Sequence, residues 1–281
     1  MSSGLTAPFR IVADAAAYRI RKREGANLAT SMTLAVALSL PVTDIAYRCV
    51  FGVLFNLFVY LLNDCFDVQL DLAAPGRDSQ RTQFLHDHLG AGWTMVALLA
   101  IILGVTGWHH STGLVVAFVA NAVLIAAYSR VLKRLPLVDL VAMVGWGVTM
   151  ALVGFPIESL DGWRFAGLLA ILCAVTEAIQ VIRDAASDQQ AGLRTTAVVL
   201  GVGPTVWVAR ALMVGACVYT CLVLHTLLGL IFLCALLVPI RAASAARSWD
   251  LLRLVLGPTW LLLLAAHRFG GSWLSWLVVG G

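Results

Sequence analysis

Long apolar runs constrain the fold of this chain more than any other feature of its sequence. The hydrocarbon core of a membrane is roughly 30 Å thick, and a helix needs about 20 mostly apolar residues to cross it. The 281-residue chain is 60% hydrophobic and only 12% charged, which excludes an ordinary soluble domain. We therefore predict an all-α membrane protein with nine spans, at residues 28–46, 47–62, 93–109, 112–128, 138–156, 164–182, 205–224, 226–240 and 254–279.

The distribution of positive charge predicts the orientation of these spans. If the N-terminus is cytoplasmic, Arg48, Arg164 and Arg268 are the only ones of the 19 Lys and Arg residues that face the other side. The opposite orientation would invert the usual excess of basic residues on the cytoplasmic side. Residues 1–27 are then expected to form a basic segment at the membrane interface, ahead of the first span, within a single domain that covers residues 1–281.

Two groups of aspartates lie at the ends of apolar segments. Helical residues three, four and seven positions apart share a face, so Asp64, Asp67 and Asp71 form one acidic stripe, and Asp184 and Asp188 form a second. Carboxylates this close repel one another unless a cation joins them. Oxygen ligands suit Mg²⁺, particularly where substrate phosphates complete its coordination shell. The spacing thus predicts a Mg²⁺ site, whereas any single aspartate in such a place is more often a solvated charge.

The predicted topology places both acidic stripes on the cytoplasmic side, together with Lys133 and Arg134 from a third loop. Three segments that are distant in sequence can therefore converge on one site. Basic side chains beside metal ions would stabilise the negative charge that a departing diphosphate accumulates. The hypothesis that follows is Mg²⁺-dependent diphosphate chemistry at a membrane surface.

Three motifs, in this order, resemble those of the UbiA-type intramembrane prenyltransferases. The first runs from Asn63 to Asp71 as Asn-Asp-x-x-Asp-x-x-x-Asp, the second from Tyr128 to Asp139 carries the Lys-Arg pair, and the third from Arg183 to Thr195 carries the last two aspartates. The resemblance extends over most of the chain. It implies a nine-helix bundle with a lipid-open central cavity and a cytoplasmic cap, which binds a prenyl diphosphate and an acceptor that is most often aromatic.

The same resemblance implies roles for individual residues. The five aspartates would hold two Mg²⁺ ions that bind the prenyl diphosphate. Side chains that would steady the diphosphate are Asn63, Arg77, Arg81, Tyr128, Lys133 and Arg134. The segment from Arg77 to Gly90 lacks the proline that the family usually has there, which favours a specialised subgroup.

Four polar residues are expected to line the cavity and contact the acceptor. Glu177 lies within an apolar segment seven residues before Asp184, and therefore on the same helical face. Ionisable residues inside a membrane are costly and indicate function, although a structural hydrogen bond to a neighbouring helix is the alternative. The other three are Asn27, Asn56 and Tyr60.

Two other functions stay open at this point. A terpene cyclase on the same scaffold would need the same motifs, but the substrate's own double bonds would capture the cation. A lipid transporter or lipid-binding protein would line a path across the bilayer with charges, whereas nearly all the acids here cluster at one face. The polar cavity residues favour transfer to a second molecule. The expected partners are a prenyl diphosphate, a small-molecule acceptor and the lipid bilayer, with no nucleic acid.

Overall fold

The computed structural model describes residues 3–21, 25–73 and 79–270. These residues form helices joined by short turns, with no β-strand among them, which confirms the all-α class. The helices are α1 (Ser3–Arg21), α2 (Ala26–Ala37), α3 (Val42–Ala73), α4 (Ser79–Asp87), α5 (Leu89–His110), α6 (Thr112–Arg130), α7 (Val138–Leu152), α8 (Leu160–Gln190), α9 (Thr196–Leu200), α10 (Val202–Val223), α11 (Thr226–Gly229) and α12 (Ala245–Phe269). Short 3-10 segments lie at Leu132–Arg134, Leu230–Leu237 and Ala242–Ser244.

Six helical segments within the described ranges are long and apolar enough to cross a membrane. They are Val42–Leu72, Leu89–His110, Thr112–Arg130, Leu160–Gln190, Val202–Val223 and Ala242–Phe269. Three shorter apolar helices, Ala26–Ala37, Val138–Leu152 and Thr226–Leu237, lie where three further spans were predicted. Each is shorter than the roughly 20 residues that a spanning helix needs, so the count of nine transmembrane helices stays a prediction.

The boundary between the first two predicted spans, 28–46 and 47–62, is wrong. Helix α2 ends at Ala37, and α3 runs without a break from Val42 to Ala73. The turn lies instead at residues 38–41, where Ser39 has a φ of 60° and Pro41 disfavours helical backbone at the residue before it. Apolar residues flank this turn on both sides, so hydropathy did not reveal it. The 32 residues of α3 extend for about 48 Å, which is longer than the roughly 30 Å thickness of a hydrocarbon core.

Two later spans also differ from their predicted form. The predicted span 226–240 consists of the short helix α11 followed by a 3-10 segment that ends at Leu237. The last predicted span begins too late, because α12 already starts at Ala245. Residues 271–279 of that span lie outside the described residues. Helix α10 and the segment that follows it therefore form an asymmetric helical hairpin. Its first arm, α10, is long, and its second arm, Thr226–Leu237, is short.

Helix α8 is the central element of the bundle. It packs mainly against α7 and α10, and 78% of its most apolar stretch is buried inside the protein, more than for any other of the six long segments. A Cβ atom on Gly147 of α7 would lie 2.8 Å from the carbonyl oxygen of Leu169, so this close approach of α7 and α8 requires glycine. The second acidic motif therefore lies on the most buried of the six long helical segments.

A buried arginine stabilises the end of the bundle that lies opposite the aspartates. Arg48 of α3 donates from Nη1 to the carbonyl oxygens of Val153 (3.0 Å) and Phe155 (3.1 Å), and from Nε to Asp44 Oδ1 (2.9 Å). These carbonyls follow the C-terminal end of α7, where backbone acceptors lack helical partners. The contacts fix the position of α3 along α7, and with it the depth of the first motif.

Candidate functional site

Both acidic motifs lie on helices rather than in loops. Asp64, Asp67 and Asp71 occupy the last turns of α3, and Asp184 and Asp188 occupy the last turns of α8. The predicted stripes are therefore faces of continuous helices. Asp64 is only 3% exposed and Asp71 only 6%. Carboxylates buried to this degree need cationic or hydrogen-bonding partners.

Asp64 is bound by two arginines from different helices. Arg19 of α1 donates from Nη2 to Asp64 Oδ1 at 2.6 Å, and Arg81 of α4 donates from Nη1 to Oδ2 at 2.7 Å. The guanidinium of Arg19 lies 4.1 Å from the centre of the Tyr60 ring, and that of Arg81 lies 4.3 Å from the centre of the Tyr18 ring. These contacts fix α1 and α4 over the first motif. Arg19 is a site residue that the sequence analysis missed, because the basic N-terminal segment was interpreted only as interfacial.

We expect Asp64→Asn to loosen the attachment of α1. Asparagine cannot neutralise the two arginines, and breaking a buried ion pair costs about 3–5 kcal/mol. Tryptic cleavage of the N-terminal segment should then accelerate by at least tenfold. Asp14→Asn is the matched control, because Asp14 also lies on α1 but forms a more exposed ion pair with Arg10. Equal cleavage rates for the two variants would show that Asp64 does not anchor α1.

The basic turn between α6 and α7 docks onto the first motif. Lys133 Nζ donates to Asp67 Oδ1, and Ser129 Oγ donates to Asn63 Oδ1 at 3.0 Å. Lys133 is only 7% exposed, so its ion pair is shielded from water. Arg134 is exposed and forms no hydrogen bond or ion pair with the described residues. The structure therefore brings the lysine of the basic motif, but not its arginine, into contact with the first acidic motif.

A buried aspartate joins the basic turn to the segment that follows the second motif. Asp139, in the first turn of α7, accepts hydrogen bonds from the backbone N–H of Thr196 at 2.8 Å and from the Thr196 hydroxyl. The N–H of Leu137 in turn donates to the Thr196 hydroxyl oxygen at 2.7 Å. Leu137 has a φ of 68°, a conformation that is strained for a residue with a side chain. This cluster connects α7 to α9, and so holds the second and third motifs at the same end of the bundle.

Asp139→Ala is expected to destabilise the protein substantially. The change leaves the N–H and hydroxyl of Thr196 buried without their acceptor, at a cost of roughly 3 kcal/mol. For a chain of this size, the melting temperature should fall by about 6–12 °C. Asp161→Ala provides a matched control, because Asp161 also lies in the first turn of its helix but is far more exposed. A melting temperature equal to that of the Asp161→Ala control would contradict a stabilising role for the contact between Asp139 and Thr196.

The second acidic motif is more open than the first. Arg183 donates two hydrogen bonds of 2.7 Å to its neighbour Asp184, and Thr195 Oγ1 donates to Asp188 Oδ2 at 3.2 Å. In the described part of the chain, no three His, Cys, Asp or Glu side chains lie close enough together to hold a metal ion. The two motifs share an end of the bundle without forming one carboxylate cluster. Arg77, also predicted to bind the diphosphate, lies outside the described residues.

The donor chemistry of the site nevertheless fits Mg²⁺, because carboxylate oxygens are the ligands that this ion accepts from proteins. Cationic side chains occupy several of these oxygens in the structure: Arg19 and Arg81 cover both oxygens of Asp64, and Lys133 binds one oxygen of Asp67. The contacts of these cationic side chains identify carboxylate oxygens that need a positively charged partner. A metal ion bound by the same carboxylates would displace them and leave basic side chains available for a phosphate.

Deeper in the bundle lie polar residues that were predicted to contact an acceptor. The Tyr128 hydroxyl donates to Glu177 Oε1 at 2.6 Å, which joins α6 to α8. Asn56 Nδ2 is buried and has no hydrogen-bond partner among the described residues. The Cys173 thiol lies 3.9 Å from Asn27 Oδ1. Four helices of the bundle therefore contribute polar groups to its interior.

Two tyrosines with predicted roles at the site contact other side chains in the structure. Tyr60, expected beside the acceptor, packs on the guanidinium of Arg19, and its ring centre lies 6.4 Å from that of Trp146. The hydroxyl of Tyr128, which is predicted to bind the diphosphate, donates to Glu177 Oε1. The tyrosines thus connect the acidic end of the bundle to its interior.

Comparison with known proteins assigns the chain to a family. The sequence pattern of the UbiA prenyltransferase family matches residues 26–255, and the chain therefore belongs to this family of membrane proteins. A curated relative, the C(50) beta-cyclic carotenoids biosynthesis protein LbtBC of Dietzia sp. (strain CQ4), is 31% identical over 181 residues. The match covers 60% of this chain and 41% of the relative, so the chain spans about two fifths of the length of that protein.

Several solved structures have the same fold as this chain. A UbiA homologue from Archaeoglobus fulgidus, bound to GPP and Mg²⁺, has a TM-score of 0.62 at 15% identity and covers 88% of this chain and 96% of its own. The same homologue bound to DMAPP and Mg²⁺ has a TM-score of 0.63. A digeranylgeranylglyceryl phosphate synthase has a TM-score of 0.68 at 14% identity and covers 94% of this chain and 99% of its own. At these identities, the likeness establishes the fold.

Proposed function

We propose that this chain transfers a prenyl group from an allylic prenyl diphosphate to a hydrophobic acceptor held within the membrane, and releases diphosphate. The observation that carries this proposal is the contact between Lys133 and Asp67, because it joins the basic motif to the first acidic motif in a site shielded from water. A diphosphate that departs from an allylic carbon takes the bonding electron pair with it. Preplaced positive charge stabilises that charge most in the transition state.

Mg²⁺ is the proposed cofactor, held by aspartates of the two motifs: Asp64, Asp67, Asp71, Asp184 and Asp188. When bound, it would neutralise the diphosphate and promote its departure. Arg19, Arg81 and Lys133 balance Asp64 and Asp67 in the structure. On substrate binding, we expect these three side chains to turn to the phosphate oxygens, as basic groups in a dry site do. Helices α1 and α4 would then exclude water from the cation.

The interior of the bundle restricts the acceptor. Glu177 is an acid whose described hydrogen-bond partner is the neutral Tyr128. An acceptor with its own carboxylate would meet repulsion at this depth, because charges interact strongly where the dielectric constant is low. We therefore expect an aromatic acceptor to be a neutral molecule, such as a phenol, a quinoline or an indole, rather than an aromatic carboxylate.

A neutral polyene is a second candidate acceptor. The observation that favours it is the match to a protein of C(50) carotenoid biosynthesis, which is 31% identical to this chain. An alkene in a carotenoid attacks an allylic cation with its π electrons, as an aromatic ring does. Such a molecule is wholly apolar, and burial of each CH₂ group contributes roughly 0.8 kcal/mol to its binding.

Cyclisation and lipid transport are less well supported. A cyclase needs a closed apolar contour around one substrate, whereas Asn27, Asn56 and Glu177 place polar groups in the interior. A transport path would need charged groups at several depths. Among the described residues, the motif charges lie at one end of the bundle and the Arg48 cluster lies at the other, and the single acid Glu177 between them does not make such a path.

The proposal is tested by incubating the purified protein in lipid nanodiscs with Mg²⁺ and either DMAPP or GPP. Each donor is supplied alone, and then with an acyclic carotene, a phenol, a quinoline or an indole. We expect a prenylated adduct with one acceptor and little hydrocarbon product without it. A cyclic terpene formed without an acceptor would indicate the cyclase. Absence of diphosphate release from both donors would refute the proposal.

We also propose that the N-terminus and the acidic end of the bundle face the cytoplasm, on the basis of the positive-charge distribution. In a cysteine-free background, Arg134→Cys and Arg194→Cys, at two exposed positions, should react with a membrane-impermeant maleimide only from the cytoplasmic side. Asp161→Cys, at the start of α8, should react only from the outside. Labelling of either loop position from the outside would contradict this orientation.

A further inference from the structure

We infer that Glu177 is the base that removes the proton from the acceptor after the new carbon–carbon bond has formed. This inference rests on the proposed prenyl transfer and deepens it, since it assigns the final step of that reaction to one carboxylate oxygen, Oε2 of Glu177.

The surroundings of Glu177 distinguish its two carboxylate oxygens. Oε1 accepts the 2.6 Å hydrogen bond from the Tyr128 hydroxyl, whereas Oε2 has no hydrogen-bond partner among the described residues. The residue is only 6% exposed. A buried carboxylate with one oxygen held and the other unpartnered has a fixed orientation and an available proton acceptor. Oε2 is not among the fully enclosed polar atoms without a partner, so it keeps accessible surface from which it can accept a proton.

The depth of Glu177 in the bundle suits proton removal, which is the last step of the reaction, rather than departure of the diphosphate, which is the first. It precedes Asp184 by seven residues, which places it on the same face of α8 and about 10 Å deeper in the bundle. The allylic carbon must lie next to the diphosphate oxygen that it leaves, and therefore close to the aspartates. The acceptor lies beyond that carbon, and its departing hydrogen lies farther still. Glu177 is too deep to assist departure of the diphosphate, but it lies in the direction of the acceptor.

The electron balance of the reaction requires a base at this stage. The allylic C–O bond breaks, and its electron pair leaves with the diphosphate. A π pair of the acceptor then forms the new C–C bond, which leaves a cation on the acceptor. A neighbouring C–H bond breaks, its electron pair restores a double bond or an aromatic ring, and the proton passes to Glu177 Oε2. The same balance holds for a carotenoid and for an aromatic acceptor, and no oxidant or further reactant is needed.

The negative charge of Glu177 would also stabilise the acceptor cation before the proton leaves. Opposite charges attract strongly in a dry interior. The Tyr128 hydroxyl cannot perform this role, because it carries no negative charge while it donates to Glu177. Tyr128 is therefore a positioning residue, and Glu177 is the catalytic one.

Glu177→Gln separates ionisation from proton removal. The glutamine carbonyl can still accept the Tyr128 hydrogen bond, so the fold is preserved while the base is lost. The variant is supplied with DMAPP that carries ¹⁸O in the bridging position, in the presence of Mg²⁺ and the acceptor that the wild-type protein uses. Reversible ionisation then moves ¹⁸O into non-bridging positions of the recovered DMAPP. Glu158→Gln is the matched control, because Glu158 is exposed between α7 and α8.

We expect Glu177→Gln to lower adduct formation by at least a hundredfold, a typical effect for loss of a general base, while ¹⁸O scrambling stays within about threefold of wild type or rises. Adduct formation within threefold of wild type would overturn the inference. Loss of scrambling and adduct together would also overturn it, because Glu177 would then act at or before ionisation. Failure of the wild-type protein to form any adduct would instead refute the proposed function.

Discussion

Asp67→Asn and Asp188→Asn should each lower diphosphate release by roughly 10²- to 10³-fold, the effect of removing one preorganised electrostatic group from an active site. Asparagine has nearly the same shape as aspartate, so packing is retained while one negative charge is lost. The two residues come from different helices, α3 and α8. Similar losses from both would indicate that the motifs act on the same ion or substrate.

The contacts of these two aspartates predict different side effects. Asp67 is paired with the buried Lys133, so Asp67→Asn leaves a lysine without its counter-ion and should also lower stability. Thr195 Oγ1 donates to Asp188 Oδ2, and an asparagine oxygen can accept the same hydrogen bond. Asp250→Asn serves as the control, because Asp250 is an exposed aspartate in a surface ion pair with Arg253. Diphosphate release within threefold of wild type in either motif variant would remove that residue from the site.

Lys133→Met is expected to raise the KM for the prenyl diphosphate by at least tenfold, with little change in the affinity for the acceptor. The substitution keeps the apolar stem but removes the ammonium group, which would lie next to the phosphates. It should also lower the free energy of unfolding by about 3 kcal/mol, because Asp67 loses its buried partner.

The double variant Asp67→Asn/Lys133→Met separates these two effects. Replacing both partners removes the unpaired charge, so most of the stability should return. Activity should not return, because neither the metal-binding charge nor the phosphate-binding charge is restored. If Lys133→Met left the KM for the diphosphate unchanged, Lys133 would be a structural partner of Asp67 and no more.

The sequence predicted the parts of the site that depend on helical spacing. The shared face of Asp64, Asp67 and Asp71 required only that the first motif be helical, and α3 is helical through all three. The contact of Lys133 with Asp67 was anticipated as a convergence of loops, since both lie at ends of apolar segments. These features follow from local periodicity and from the length of a membrane span.

Features that depend on distant partners could not be predicted in this way. Asp64 is paired with Arg19 and Arg81, which lie 45 and 17 residues away. The contact between Asp139 and Thr196 joins residues 57 positions apart, and neither residue was singled out as a structural link. Spacing in sequence does not specify such pairs, because they depend on how helices pack. The turn at residues 38–41 was missed for another reason, since apolar residues on both sides hid the signal of Pro41.

Metal-dependent ionisation of a prenyl diphosphate is the central claim, and diphosphate release measured with and without Mg²⁺ tests it most directly. The purified wild-type protein in nanodiscs is treated with excess EDTA, transferred to metal-free buffer, and given DMAPP with acceptor before and after Mg²⁺ is restored. We predict no diphosphate release in EDTA, recovery with Mg²⁺, and recovery to at most about 1% of the wild-type rate in Asp67→Asn, whose charge is missing from the first motif. Undiminished release by the wild-type protein in excess EDTA would contradict it.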